Sequence, residues 1–373
     1  MDTCRGSHPL VRIKRTVMLL YVALSSLGSR TVVSAFVRTT KVGGVLPFHR
    51  GRQADYSSAA TNMVAHEVQE LVKEAVLALP QMQDKTMLHL TVVGSRSRGL
   101  ANTDSDYDVK VIVLHSMTNY LLQKTTSSKS FVTSIKTEES PTGDDDDSAM
   151  KTLKVEGTLV DYLTMQKYAL SSNFATYETL IGGITVYKTE ASAYLEHLFR
   201  KTYSPQVLIT SLQGIGTGEL KKADKKKATF CVDPSGYVKH AANMVYYASV
   251  VHAIAACPVQ DPPPTLNAYA ILQQQQNDLE PKLEEAIHSL YAQRRKLVAS
   301  STVSSTDVDD ILEPFTTYLE SASEVKAPQQ EELPRQELLN ALHEEANEQF
   351  LQLVMSSRGV EQERTARKSS NIQ

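Results

Sequence analysis

From His66 to Leu79 the apolar positions Val68, Leu71, Val72, Ala75, Val76 and Leu79 recur at three- and four-residue spacing. That spacing predicts a helix with one buried face, and Pro80 ends it. Met87–Val93 then alternates, with Leu88, Leu90 and Val92 on one side, and predicts a strand running straight into Gly94-Ser95. Tyr107–Leu114 is a second alternating strand whose core face is Tyr107, Val109, Val111 and Val113. Thr125–Ser148, rich in Ser, Thr and Asp and including Asp144–Asp147, reads as a solvated loop. Lys154–Leu163 predicts a third strand, and "TMQKYALSSNFATYETLI" follows it as helix with a break at Ser172-Asn173.

Beyond Ser204-Pro205, a Ser cap with Pro at the first helical position, the pattern is helical. Val207, Leu208 and Leu212 open one helix, and Tyr237–Ala256 form a long one of small residues and tyrosines. Pro262-Pro263-Pro264 force a turn, and Leu266–Leu272 start another helix. Val298–Val308 reads as a Ser/Thr linker, and Pro334–Met355 as an amphipathic helix carrying Leu339, Leu342, Ala346, Phe350 and Leu353. The plan is a mixed α/β core followed by a helical domain, hence α+β.

The polar side of the second strand carries the chemistry. In "VVGSRSRGLANTDSDYDVKV" the residues Asp104, Asp106 and Asp108 alternate, so Asp106 and Asp108 share a face. Two adjacent carboxylates raise each other's pKa unless a cation sits between them. A polar turn leading into a strand is one reading, and a site for Mg²⁺ (or Mn²⁺) is the other. Gly94 lets the backbone approach a phosphate, with the N–H groups after it and the Ser95 hydroxyl as donors. Asp106 and Asp108 would then hold one or two metal ions bridging the phosphates. The candidate for a third metal-binding, catalytic carboxylate is Asp161, an acid in the apolar segment "GTLVDYL"; alone, it would read as a strand-end or salt-bridged acid. Lys221, Lys222, Lys225, Lys226 and Lys227 form a local basic run, either a solvated surface or a patch for an RNA backbone.

"GSRSRGLANTDSDYDVKV" resembles the Gly-Ser…Gly…Ser-Asp-x-Asp signature of the polymerase-β-like nucleotidyltransferase superfamily. More narrowly the chain is similar to the RlaP (YcgL-type) nucleotidyltransferases, with Gly94, Ser95, Arg96, Gly99, Ser105, Asp106 and Asp108 in the motif. Val160-Asp161-Tyr162 matches that family's Val-Asp-Leu strand, and Ser172, Asn173 and Glu178 match its Ser-Asn-x-x-x-x-Glu segment. "IGGITVY" resembles its following strand. Lys239 stands where the family's long helix carries a lysine, but Val245-Tyr246-Tyr247 stands where an arginine would follow. The resemblance implies a polymerase-β-like core, a mixed sheet with helices, followed by a helical domain. It implies transfer of a nucleoside monophosphate from a nucleoside triphosphate to an acceptor hydroxyl, releasing pyrophosphate. An RNA end is one candidate acceptor; a protein, a small molecule or a non-catalytic nucleotide-binding module are alternatives. The implied nucleotide-binding residues are Gly94, Ser95, Arg96, Ser105 and Lys239; Arg98 beside them reads as phosphate contact or solvated surface.

Charge adds a division of the chain. Net charge is −3 over 373 residues, yet residues 1–54 hold nine of the 39 Lys/Arg and one of the 42 acids. The remainder carries 30 bases against 41 acids, or −11, so it is no general nucleic-acid binder. Cys4, Cys231 and Cys257 show neither metal-ligand spacing nor a disulfide framework. Val17–Leu24 is apolar but too short to span a bilayer, and Val33-Ser34-Ala35 precedes Phe36 and a basic, hydroxylated stretch. This resembles the bipartite presequence of algae with secondary plastids; a mitochondrial or secretory leader is the alternative. The expected division is a presequence at 1–58, a nucleotidyltransferase domain at 62–200, a helical domain at 201–325, and a terminal helix and tail at 326–373. The mature form is expected to make no membrane contact. Fused to a fluorescent reporter, residues 1–58 are expected to deliver it to a plastid, and Phe36→Ala to hold it in the secretory system; mitochondrial delivery overturns the reading.

Overall fold

Alternating segments close into one five-stranded sheet of order β3-β4-β2-β1-β5. The structure, a computed structural model, describes residues 66–103, 105–138, 150–227, 234–257, 262, 265–275, 279–296, 312–326 and 335–370. The expected presequence, Asp104, Asp144–Asp147, Pro263-Pro264 and the 298–308 linker lie outside these residues. In chain order the first half runs α1 His66–Leu77, β1 Lys85–Val93, α2 Gly94–Ser97, β2 Tyr107–His115, α3 Met117–Leu121, β3 Ser128–Glu138 and β4 Met150–Asp161. Then come α4 Tyr162–Leu170, α5 Phe174–Tyr177, a π-helical turn Glu178–Gly182, β5 Ile184–Lys188 and α6 Glu190–Thr202.

β1 pairs antiparallel with both β2 and β5, β2 runs parallel to β4, and β3 closes the edge antiparallel to β4. Tyr107, Val109, Val111 and Val113 point together into a core with Val72, Val76, Phe131, Val155 and Leu159, as the alternation predicts. Leu88 departs from expectation. A register shift between Met87 and His89 turns it away from Leu90 and Val92, to the other sheet face with Ile112 and Leu114. The expected loop at 125–148 is corrected as well: Ser128–Glu138 is a strand, in register from Ser128↔Val160 to Glu138↔Met150. Phe131 and Ile135 bury one face of it, and polar residues between them suit the exposed side of an edge strand.

The third strand ends earlier than its apolar run. Asp161 accepts the Leu163 N–H at 3.1 Å, caps α4, and so ends β4. The predicted helix break is present, with Ser172 at φ +54° and its Oγ accepting the Ser204 N–H at 2.8 Å; Asn173 caps α5.

The second half is α7 Pro205–Lys227, α8 Pro234–Ala256, α9 Ala268–Gln274, α10 Pro281–Lys296, α11 Thr316–Glu324 and α12 Arg335–Ser370. α8 is its centre, with Val238, Ala241, Ala242, Val245, Tyr246 and Val250 almost fully buried. α12 returns to the sheet half: Val354 is buried there, and Phe350 stacks on Tyr162 and meets Tyr120 edge-on at 5.0 Å. No helix among the described residues is long and apolar enough to cross a membrane.

Gly157 on β4 lies under the Phe131 ring, and a Cβ there would come within 2.6 Å of Val109 Cγ2. Gly157→Ala is expected to lower stability by about 1–3 kcal/mol through overpacking, read as a lower urea midpoint at unchanged slope.

Candidate active site

β1 delivers Val93 opposite Asp108 on β2, and the chain turns at Gly94. Gly94 has φ +71°, and a Cβ on it would overlap Asp108 Oδ2 and lie 2.9 Å from its Cγ. Both the left-handed backbone and the contact with a carboxylate therefore require glycine. The turn is closed by Arg98 N–H to Gly94 O at 3.2 Å and Leu100 N–H to Ser95 O at 2.9 Å. The turn thus seats Gly94 against Asp108, with Ser95 the next residue.

The parallel pairing of β2 and β4 puts Glu156 opposite Asp108, on the face away from the Val109–Leu159 core. Lys154, two residues earlier, holds Asp106 Oδ2 at 3.4 Å and also pairs with Glu156 Oε1. Asp108 and Glu156 thus lie side by side, and the Lys154 ammonium links Glu156 to Asp106. Burial pushes the Asp108 carboxyl above its usual range; Lys239 and Arg98 pull it down, and Asp106 and Glu156 push it further up. Glu156 was missed from sequence. Its signal is the even spacing in "KVEGTLVD", but its level beside Asp108 depends on register between strands joined by a long crossover.

Asp161 is corrected. It pairs with Val113, five residues along β2 from Asp108, a separation of about 17 Å. It is 4% exposed and takes a 2.5 Å hydrogen bond from the Tyr120 hydroxyl, with His115 Nε2 at 4.0 Å. Burial raises its pKa, against the pull of Tyr120 and His115. It is a satisfied polar group bound to Tyr120 and the Leu163 N–H, not a third ligand beside Asp106 and Asp108.

The remaining predicted residues divide. Lys239, exposed on α8, faces the site closely enough for its charge to act on Asp108. Arg96 lies over the Tyr107 ring at 3.8 Å and donates to Ser105 O at 2.5 Å and Asp106 O at 3.2 Å. It braces the segment that presents Asp106 and is committed to the protein's own backbone. Ser105 Oγ accepts the Asn102 N–H at 2.9 Å and donates to Asn102 Oδ1 at 2.7 Å, closing the turn before Asp106.

Arg98 is not solvated surface. It is buried, donates to Glu178 Oε1 at 2.9 Å, and lies over the Tyr246 and Tyr247 rings at 5.2 and 5.1 Å. Lys110 on β2 holds the other Glu178 oxygen at 2.6 Å. Burial would raise Glu178, but Lys110 and Arg98 outweigh it and hold the carboxyl below its usual value.

Among the described residues no group of three or more His, Cys, Asp or Glu is assembled as a ready metal-ligand set. The donor chemistry nonetheless fits a hard divalent cation: Asp106, Asp108 and Glu156 offer carboxylate oxygens, and an ammonium already bridges two of them.

Asp108→Asn is expected to raise the melting temperature of the metal-free protein at neutral pH. A carboxyl whose folded pKa exceeds its unfolded value of about 3.9 costs stability once ionised, and asparagine removes that cost. The gain should be full above the raised folded pKa and fade as pH falls through it toward the unfolded value. A gain that grows with acid, or a loss at neutral pH, overturns the assignment.

Residues 63–138 match the model of a family described as RlaP: RNA repair pathway DNA polymerase beta family. No curated protein matches the chain. Among solved structures it is similar to a nucleotidyltransferase-like protein from Exiguobacterium sibiricum, at 12% identity over 76% of this chain and 91% of that one, with a TM-score of 0.26. That likeness is too slight to bear on the site. The segment matched to that family model contains Gly94, Ser95, Asp106 and Asp108.

Proposed function

We propose that the protein moves a nucleoside monophosphate from a nucleoside triphosphate to an acceptor hydroxyl, an RNA end being the favoured acceptor, in a metal-dependent reaction that releases pyrophosphate. The observation that carries the reading is the seat of Gly94 against Asp108 Oδ2, which joins the glycine-serine turn to the carboxylate face. The turn's backbone N–H groups and the Ser95 hydroxyl donate to the triphosphate, and Lys239 supplies a counter-charge from α8. Asp106, Asp108 and Glu156 would hold Mg²⁺ or Mn²⁺, which when bound neutralises charge between carboxylates and phosphates. Arg96 keeps Asp106 in place through the carbonyls of Ser105 and Asp106. The acceptor oxygen attacks the α-phosphorus, its proton passes to a base, and the bond to the pyrophosphate oxygen breaks. Glu156 would take the role first expected of Asp161.

Single-turnover pyrophosphate release tests this, with each nucleoside triphosphate, Mg²⁺ or Mn²⁺, and total RNA. Asp106→Asn and Glu156→Gln are expected to cut release by about a hundredfold or more. Asp161→Asn should stay close to wild type, because asparagine caps α4 as aspartate does. No release by the wild type with any nucleotide and acceptor would move the non-catalytic binding module ahead.

A further inference from the structure

The last turns of α7 carry the lysine run, and the structure connects it to the carboxylate site. Glu219, buried on α7, takes hydrogen bonds from Asn243 Nδ2 and His240 Nδ1 of α8, both at 2.9 Å, and from Lys222 Nζ at 2.6 Å. Burial alone would raise Glu219, but His240, Lys222 and Asn243 hold it down at about 2. This bond set locks α7 to α8 beside Lys239, the neighbour of His240 and the residue whose charge reaches Asp108. Lys222 is spoken for. Lys221 and Lys225 are exposed and form no ion pair among the described residues. They stand one helical turn apart, about 6 Å along the axis, on one side of α7. Gly214 and Gly218 lie on that same side, and a Cβ on either would meet open space. Glycine inside a helix is less favourable than alanine, and neither position has a packing reason for it.

We infer that this face of α7, with Lys221 and Lys225 outermost and Lys239 of α8 nearer the carboxylates, carries the sugar-phosphate backbone of a single-stranded nucleic acid whose end lies at Asp106 and Asp108. The inference rests on the nucleotidyltransferase reading and names its acceptor. Charge complementarity selects the occupant: the chain beyond residue 54 carries −11, so a polyanion is repelled by the body as a whole and admitted along a local cationic strip. Lysines one turn apart are mobile point charges, suited to successive phosphates whatever the base sequence. The bare glycine side leaves room for a backbone to lie close to the helix.

The experiment measures affinity of the full chain for a labelled single-stranded RNA across a salt series, with nucleotide affinity and pyrophosphate release measured on the same samples. Lys221→Ala/Lys225→Ala should flatten the slope of log affinity against log salt by about 1.4, since each single-strand phosphate contact contributes about 0.7. At 0.1 M salt binding should weaken on the order of tenfold, with nucleotide affinity unchanged. The control Lys129→Ala/Lys201→Ala removes the same charge on the edge strand and α6 and should leave the slope alone. An unchanged slope in the α7 variant, an equal change in the control, or no RNA binding by the wild type overturns the inference, leaving this face to a protein or to solvent. If the slope falls as expected while no pyrophosphate is released, the strip stands and the catalytic reading fails.

Discussion

One buried carboxylate holds three parts of this protein together. Glu178, at the start of the π-helical turn, takes Arg98 from the loop after α2 on one oxygen and Lys110 of β2 on the other. The guanidinium lies over Tyr246 and Tyr247 of α8, and the Arg98 carbonyl accepts the Ala268 N–H at the start of α9 at 2.9 Å. The glycine-serine turn, the aspartate strand and the helical half therefore meet at a single ion cluster. Removing one member of a buried ion pair strands the other, at about 3–5 kcal/mol. With Glu178 below its usual pKa, its contribution is present above its unfolded value of about 4.3 and is lost as pH falls through the lower folded one. The cluster is not fully satisfied: Arg98 Nε is buried without a partner.

That cluster also bears on the one place on the long helix where the resemblance led to an expectation the chain does not meet. An arginine is expected on the long helix where Val245-Tyr246-Tyr247 stands. In this chain the two tyrosine rings present their faces to an arginine that arrives from the opposite side, on the loop. A cation over aromatic faces is worth about 2 kcal/mol when desolvated, so the tyrosines hold the charge rather than carry it. The positive charge at the junction is kept, and it reaches Asp108, whose carboxyl Arg98 pulls down against burial. Gly99, next in the loop, has φ +73° and would carry a Cβ within 2.9 Å of Asn267 Nδ2, the cap of α9. Loop and helical half fit closely enough that glycine is needed here too.

What the sequence discloses is what depends on neighbours in the chain. β2 is readable because Tyr107, Val109, Val111 and Val113 recur at every second position of a single strand, and the break at Ser172-Asn173 because Ser172 turns left-handed and Asn173 caps the helix that starts next to it. β3 is not, because an edge strand needs few apolar residues and its partner supplies the rest of its order. A bulge reverses Leu88, and no local signal announces it. Asp161 looked like a site residue because its apolar neighbours suggested mid-strand, whereas one cap hydrogen bond ends the strand there. Glu156 and Arg98 were hidden for the same physical reason: their roles are set by Asp108 and Glu178, which sit 48 and 80 positions away in sequence and become neighbours through register and packing.

Charge at the site gives the strongest argument for how it is used. Asp106, Asp108 and Glu156 are balanced by Lys154 and Lys239, and Arg98 and Lys110 together exceed Glu178 by one charge. The local sum is near neutral before any ligand arrives. A triphosphate brings several negative charges to a surface with three carboxylates, on a body that is itself acidic. Lys239 and the turn's N–H groups offset only part of that. At an effective dielectric constant near 20, each uncompensated like-charge contact at 4 Å opposes binding by about 4 kcal/mol. In the proposed reaction cations would therefore enter with the nucleotide, and the carboxylates are where they would bind. Lys154, half exposed and tied to both Asp106 and Glu156, holds those two acids together until they do.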